Sequence, residues 1–209
     1  MTEEQAREAL NVSRGTLDRI DAFVDLLRAE NERQNLVSRA TLEQVWTRHI
    51  FDSAQLLRFA PASGAWLDLG TGAGFPGLII ALLFGGRMTL VESRKLRVDF
   101  LSRGAEVLGV LDRMEILCAR VETVNARHFD VISARAFAPL EKLLAIGERF
   151  SGPETKWILP KGRNAKSELE AARASWQGDF RLEPSLTDPD ARIIVAEQVH
   201  RKPRGRRAR

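Results

Sequence analysis

The sequence predicts an α/β fold: a doubly wound, mostly parallel sheet with an antiparallel C-terminal hairpin, preceded by an N-terminal helical appendage. Three observations carry this. From Ala65 onward, short apolar runs alternate with helical apolar patterns, as expected of parallel strands joined by crossover helices. Residues 67–77, LDLGTGAGFPG, read as a buried strand, a glycine turn and the opening of a helix. Near the end, residues 180–186 and 192–200 flank Thr187-Asp-Pro-Asp as two strands around a turn.

The elements follow in order. Residues 3–35 read as helix, with Ser13 as a plausible N-cap and Leu17, Ile20, Phe23, Val24 and Leu27 as its core stripe. Asn35-Leu-Val-Ser38 breaks the pattern. Thr41-x-x-Gln44 matches a capping box and opens a helix to about Phe59, stopped by Pro61 and Gly64. His49, Asp52 and Ser53 share one face of that helix. A Ser/His/Asp nucleophilic site would also need an oxyanion hole and a turn-exposed serine. The cluster is read instead as polar groups that hydrogen-bond the neighbouring glycine loop or a ligand.

Strands follow at residues 65–69, 87–92, 114–118, 129–134 and 156–160, with helices at 78–84, 94–108, 139–150 and 164–176. Leu96, Phe100, Leu101 and Leu108 are expected to face inward, Gly109 to stop their helix, and Cys118 to be a small buried hydrophobe.

The glycine turn admits more than one ligand. Gly72-x-Gly74-x-x-Gly77 matches the dinucleotide fingerprint, and Asp68-x-Gly70-x-Gly72-x-Gly74 matches the acid-plus-glycines turn of S-adenosylmethionine (SAM) methyltransferases. A turn that only lets helix and strand pack closely is a third reading. Pro76 favours SAM, because a pyrophosphate needs helix N–H donors and proline removes one. Glu92 ends the second strand, 22 residues after Gly70, where adenosine-binding folds place an acid for the ribose hydroxyls. The hairpin also favours SAM, since a plain dinucleotide fold would add a sixth parallel strand.

Arg120-Val-Glu122 lies at the ligand rim after the third strand, although Glu122 could equally cap the turn there. Arg135, just past the fourth strand, would face the methionine carboxylate of SAM or an incoming phosphate, or be a surface arginine.

Composition bounds the partners. With 209 residues, 44% hydrophobic, there is material for a core, and no run approaches the ~20 apolar residues of a membrane span. MTEEQAREAL is no secretory signal. One cysteine and three histidines leave no disulfide framework and no metal set. The expectation is a cytoplasmic protein, without membrane or metal. Residues 201–209, RKPRGRRAR, hold six of the 32 basic residues, so the remainder carries 26 basic against 28 acidic groups. This tail is expected to be disordered when free, either holding a polyanion such as RNA or merely solubilising the end.

The methyl acceptor is approached by elimination. After the fourth strand the chain reads Ser133-Ala-Arg-Ala-Phe137, without the Asn/Asp-Pro-Pro-aromatic run of exocyclic-amine methyltransferases. The only cysteine is on the third strand, away from where a pyrimidine carbon-5 enzyme needs its nucleophile. What remains is a nucleophile with a free lone pair that loses no proton before attack, of which a purine ring nitrogen is one example, so no residue is assigned as general base.

Asn35-Leu-Val-Ser38, Arg48-His-Ile-Phe-Asp-Ser53, the Asp68 to Gly77 loop, Arg120-Val-Glu122, Ser133-Ala-Arg-Ala-Phe137 and Lys161-Gly162, in this order and spacing, resemble the bacterial 16S rRNA guanine-N7 methyltransferase family (small-subunit methyltransferase G, glucose-inhibited division protein B). The likeness covers about residues 20–200. It implies SAM contacts from Gly70, Phe75, Val121, Glu122 and Arg135, beside Gly72 in the turn and Glu92 at the ribose. It implies that Arg120, Arg135 and Lys161 face RNA, and that the target is N7 of guanosine 527 in the 530 loop of 16S rRNA, within the small ribosomal subunit or its precursor. Val37 stands where the family has Thr, and Lys95-Leu-Arg97 where relatives often have Gly-Lys-Arg. The expected organisation is a helical appendage over residues 1–62, a SAM-dependent methyltransferase domain over 63–200 and the basic tail, acting as a monomer. The rivals are a NAD(P)-binding oxidoreductase and a noncatalytic rRNA-binding or assembly factor.

Overall fold

The computed structural model describes residues 1–203; of the basic tail, residues 204–209 lie outside them. Seven strands form one sheet in the order β3-β2-β1-β4-β5-β7-β6: β1 (Ala65–Leu69), β2 (Arg87–Glu92), β3 (Met114–Cys118), β4 (Val131–Ser133), β5 (Lys156–Lys161), β6 (Trp176–Pro184) and β7 (Arg192–Arg201). The first five run parallel, and β7 pairs antiparallel with both β5 and β6. The doubly wound sheet and its closing hairpin are therefore as the sequence predicts.

Side-chain alternation splits the core into two layers. Trp66, Met88, Leu90, Val131, Ile158 and Val195 face one side; Leu67, Leu69, Ile132, Trp157, Leu159 and Ile194 face the other. A sheet covered on both faces needs these near-continuous apolar runs. Each fully buried side chain of this size contributes about 1.5–3 kcal/mol relative to exposure.

The helices are α1 (Glu3–Ala9), α2 (Arg14–Gln34), α3 (Arg39–Leu42), α4 (Asp52–Ala54), α5 (Gly77–Leu83), α6 (Lys95–Leu108), α7 (Leu140–Gly147) and α8 (Ala165–Ala172). Helix α2 buries Ile20, Phe23, Val24 and Leu27 in the same layer as α5 and α6, with the Phe23 ring 5.8 Å from Phe75 and 6.0 Å from Phe100. The 3–35 segment is two helices: Asn11 takes a left-handed φ of +48° after α1, and Ser13 caps α2 by accepting from Thr16 N–H. Asn35, also left-handed, ends α2.

Several local expectations are corrected. Ser38, not Thr41, caps α3 by accepting from the Thr41 N–H. The chain then winds through a π-helical stretch (Trp46–Phe51), α4 and a 3-10 segment (Gln55–Phe59). Leu96 is 67% exposed, because the first turn of α6 meets Gln34 through the Leu96 carbonyl and leaves the side chain outside. Cys118 is exposed, since β3 is the sheet edge and its outer positions alternate into solvent. Trp176 opens β6 rather than closing a helix, and lies buried beneath Arg201 at 4.7 Å. No helix among the described residues is long and apolar enough to cross a membrane.

Candidate functional site

The turn after β1 is built around Asp68. Fully buried, its carboxyl accepts from Ser133 Oγ (2.7 Å), Thr71 Oγ1 (2.5 Å) and the Gly77 N–H (3.2 Å). It therefore ties β1, β4, the glycine turn and the start of α5 together. Burial pushes its pKa up to about 6 although all three donors favour the charged form. The Gly77 N–H goes to Asp68, the Leu78 N–H to the Gly74 carbonyl, and Pro76 at the N-cap has none to give. The start of α5 thus offers little to a pyrophosphate, and the dinucleotide reading loses its anchor.

Gly70, Gly72 and Gly74 all have positive φ (+66°, +58° and +89°). At Gly70 a Cβ would stand 2.2 Å from the Phe137 ring, so a side chain there would strain the backbone and force that ring to shift. Glu92, almost fully buried at the end of β2, accepts from the Gly72 N–H (3.2 Å) and the Arg94 N–H (2.9 Å), with Arg97 3.7 Å away. These donors fix the carboxylate at the mouth of a cavity of about 300 Å³, lined by Gly70, Glu92, Arg97, Ala119, Val121 and Phe137 among others.

Arg120 and Glu122 stand at the same rim. Arg120 is 75% exposed and 3.6 Å from the half-exposed Glu122, while Val121 is buried. One polar end and an apolar Ala119–Val121 side suit an adenosine.

A second cavity, of about 590 Å³, adjoins the first, and Ala136 and Phe137 line both. Its walls come from the π-helical stretch (Arg48, His49), α4 (Asp52), the loop after β4, the ends of β5 and α8, and the β6–β7 turn. Arg135 enters here rather than into the glycine-turn cavity. It donates to Asp52 (3.3 Å), the Arg48 carbonyl (3.1 Å) and His49 Nδ1 (2.9 Å), over the Phe75 ring at 5.4 Å.

Because Arg135 can only donate, His49 Nδ1 must accept, which leaves the proton on Nε2. That nitrogen is buried without a partner among the described residues. Burial, Arg135 and Arg48 hold the imidazole pKa down at about 3, so the ring is neutral, stacked on Phe75 at 4.8 Å. Of the His49, Asp52 and Ser53 cluster, His49 and Asp52 therefore hold Arg135, and His49 stacks on the loop ring. Ser53, buried, bonds only its own helix at the His49 carbonyl, which ends the nucleophile reading.

The β6–β7 turn completes the second cavity. Thr187 donates to Asp52 (2.7 Å), Gln55 bridges Asp52 and Ser185 while accepting from Leu186 N–H, and Arg48 pairs with Asp188 at 2.8 Å. On the opposite wall Lys161 Nζ lies 2.9 Å from both the Ala138 carbonyl and Glu168.

The expected residues are thus divided. Gly70, Glu92, Arg120, Val121 and Glu122 share one cavity, and Arg135 and Lys161 the other. Gly72 supports Glu92 through its backbone, and Phe75 is buried beneath His49 and Arg135. Sequence reasoning missed Phe137, Glu168, Asp188 and Arg192 as wall residues. Phe137 alone carried a signal, as the aromatic closing the Ser133–Phe137 motif.

The family model described as rRNA small subunit methyltransferase G matches residues 16–187. The chain is 51% identical over its whole length to the ribosomal RNA small subunit methyltransferase G of Rhizorhabdus wittichii, covering 99% of that protein. It is 55% identical to the protein of the same name from Novosphingobium aromaticivorans, over 90% of this chain and 84% of that one. Among solved structures, an O-methyltransferase from Bacillus cereus aligns with a TM-score of 0.61 at 15% identity, covering 93% of this chain and 96% of that one. An RNA methyltransferase from Salinibacter ruber aligns at 0.56 and 18%, covering 73% and 93%. At such identities these two speak for the fold alone.

Proposed function

The chain belongs to the rRNA small subunit methyltransferase G family, and from that premise we propose that it methylates N7 of a guanosine in 16S rRNA, guanosine 527 of the 530 loop. It is a SAM-dependent rRNA methyltransferase. The finer reading is that it acts as a monomer on the small ribosomal subunit or a precursor, with residues 63–200 as the catalytic domain and 1–62 as its helical appendage.

The observation that carries this reading is the pair of adjoining cavities parted by Ala136 and Phe137. One fits an adenosine, and the other is large enough for a purine. Glu92 is held ready to accept from the ribose hydroxyls, Val121 and Ala119 face the adenine, and Gly70 and Gly72 let the backbone come close. Glu122 stands at the adenine rim. SAM supplies, when bound, a methyl group on a positively charged sulfur.

The chain's own residues position the base and keep water out. A ring nitrogen attacks with its lone pair and loses no proton, so orientation and electrostatics suffice. His49 is neutral, Asp52 and Asp188 are each engaged by an arginine, and Glu168 is paired with Lys161, so no residue of the cavity is assigned as general base and none is needed. Arg135 supports Phe75 and the loop from behind, and Arg120 stands out toward an RNA backbone.

The test is methyl transfer from labelled SAM to small subunits from a strain lacking the protein, followed by nucleoside analysis. Label in 7-methylguanosine at one site is the expected result. Label in any other nucleoside overturns the N7 assignment, and no label while S-adenosylhomocysteine (SAH) still binds overturns the substrate.

A further inference from the structure

Glu168 is an acid in the substrate cavity that the chemistry above leaves idle. Its Oε2 accepts from the Leu140 N–H at 2.8 Å and from Lys161 Nζ at 2.9 Å. Its Oε1 accepts nothing among the described residues, although the side chain lines the cavity and is 28% exposed. The other two acids there are fully engaged. Asp52 accepts from Gln55, Thr187 and Arg135, and Asp188 from Arg48 and the Asp190 N–H. Lys161 spends two donors on Ala138 and Glu168, which leaves one N–H of its ammonium.

A free donor and a free acceptor therefore stand side by side on one wall. Guanine offers the matching pair, an O6 acceptor beside an N1–H donor, with the N2 amino group next in line. Adenine offers the reverse. The order along the loop fits as well. Ala136 and Phe137 part the two cavities, Lys161 binds one residue further on at Ala138, and Glu168 two beyond that at Leu140. A purine with N7 at the partition would place O6 next and N1 beyond it.

We propose that Lys161 and Glu168 are the guanine-reading pair of the cavity: Lys161 donates to O6, and Glu168 Oε1 accepts from N1–H and the N2 amino group. This rests on the guanine-N7 reading above. It also assigns Lys161 to the base rather than to a phosphate.

The test uses the full chain, SAM as methyl donor (SAH only for the affinity measurements), and small-subunit particles reconstituted with guanosine or inosine at the target. Inosine keeps O6 and N1–H and lacks only the N2 amino group. The wild type should prefer guanosine about tenfold, the worth of one charge-assisted hydrogen bond; equal rates on the two particles overturn the proposal without recourse to any variant. Glu168→Gln keeps the Oε2 contacts on its amide oxygen and turns the free atom from acceptor to donor. Its rate on guanosine should fall by on the order of 10²-fold, with SAH affinity unchanged, a thermal midpoint lowered through the weakened Lys161 pair, and the guanosine preference reduced to about one.

A lowered rate with the tenfold preference intact would show Glu168 to be a brace for the loop and overturn the proposal. Single-turnover conditions with enzyme in excess keep slow variants measurable. Failure of the wild type to methylate either particle would count instead against the guanine-N7 reading itself.

Discussion

The two cavities that meet at Ala136 and Phe137 are made of different material. The first is shaped by backbone: the left-handed Gly70 in its wall, one carboxylate held by two N–H groups, and an apolar strip. All of it lies within residues 70–137. The second is mostly side chains in ion pairs, Arg48 with Asp188, Arg135 with Asp52 and Lys161 with Glu168, gathered from segments up to 140 residues apart. A backbone site has one shape and tolerates no added atoms. A site of paired charges keeps its shape only while every partner is present.

The largest effect should fall on the backbone site. Gly70→Asp would place a side chain at φ +66° with its Cβ 2.2 Å from the Phe137 ring. Calorimetric titration with SAH should show binding weakened by at least about 10³-fold, since the cradle itself is lost. Unchanged affinity would remove Gly70, and the contrast between the cavities, from the account.

In the paired-charge site the expected loss is one of stability. Asp52→Ala strips the partly buried Arg135 of its carboxylate and Thr187 of its acceptor. Urea denaturation should show a cost of about 3 kcal/mol, with SAH affinity reduced far less than by Gly70→Asp. Equal losses of cofactor affinity in the two variants would mean that the cavities are one site energetically.

The same pair of regions should respond oppositely to pH. His49, with a pKa held at about 3 against an ordinary 6.5, contributes stability that is complete above 6.5 and lost as pH falls toward 3. Asp68, raised to about 6 from 3.8, contributes stability that is complete below 3.8 and lost as pH rises through 6. Between pH 4 and 6 the two slopes cancel. His49→Gln removes one of them, so the stability difference between wild type and variant should change by about 1.4 kcal/mol per pH unit across that range. A difference independent of pH would show that His49 ionises alike in folded and unfolded chains.

The smallest effect is expected outside both cavities. Arg120 is largely exposed, with only a loose pairing to Glu122, so Arg120→Ala should leave stability within about 0.5 kcal/mol. It should lower the salt dependence of RNA binding by somewhat under one unit of slope. An unchanged slope would take Arg120 off the RNA path.

How much of this was legible in the sequence follows the same division. The first three strands, the glycine turn and the position of Glu92 rest on local pattern and short spacing, and they stand where residues 65–122 predict. Cys118 and Leu96 were misplaced because local pattern does not say which strand is an edge or where a helix overhangs its neighbour. The partners of the second cavity were illegible for a different reason. Glu168 and Asp188 look like ordinary surface acids until β5 and the β6–β7 turn bring them to Lys161 and Arg48. The π-helical winding at Trp46–Phe51, which sets the direction of Arg48 and His49, has no simple periodic signature.

The β6–β7 turn has a consequence for the order in which the molecule is built. Chains emerge from the ribosome N-terminus first. By the time Phe137 has emerged, every residue that lines the glycine-turn cavity has been made, but the second cavity still awaits Ser185, Asp188 and Arg192. The residues that line the glycine-turn cavity are thus all made before the last wall of the second cavity. The Thr187–Asp52 bond closes that second cavity across 135 residues of sequence, so its shape is among the last features of the chain to be specified.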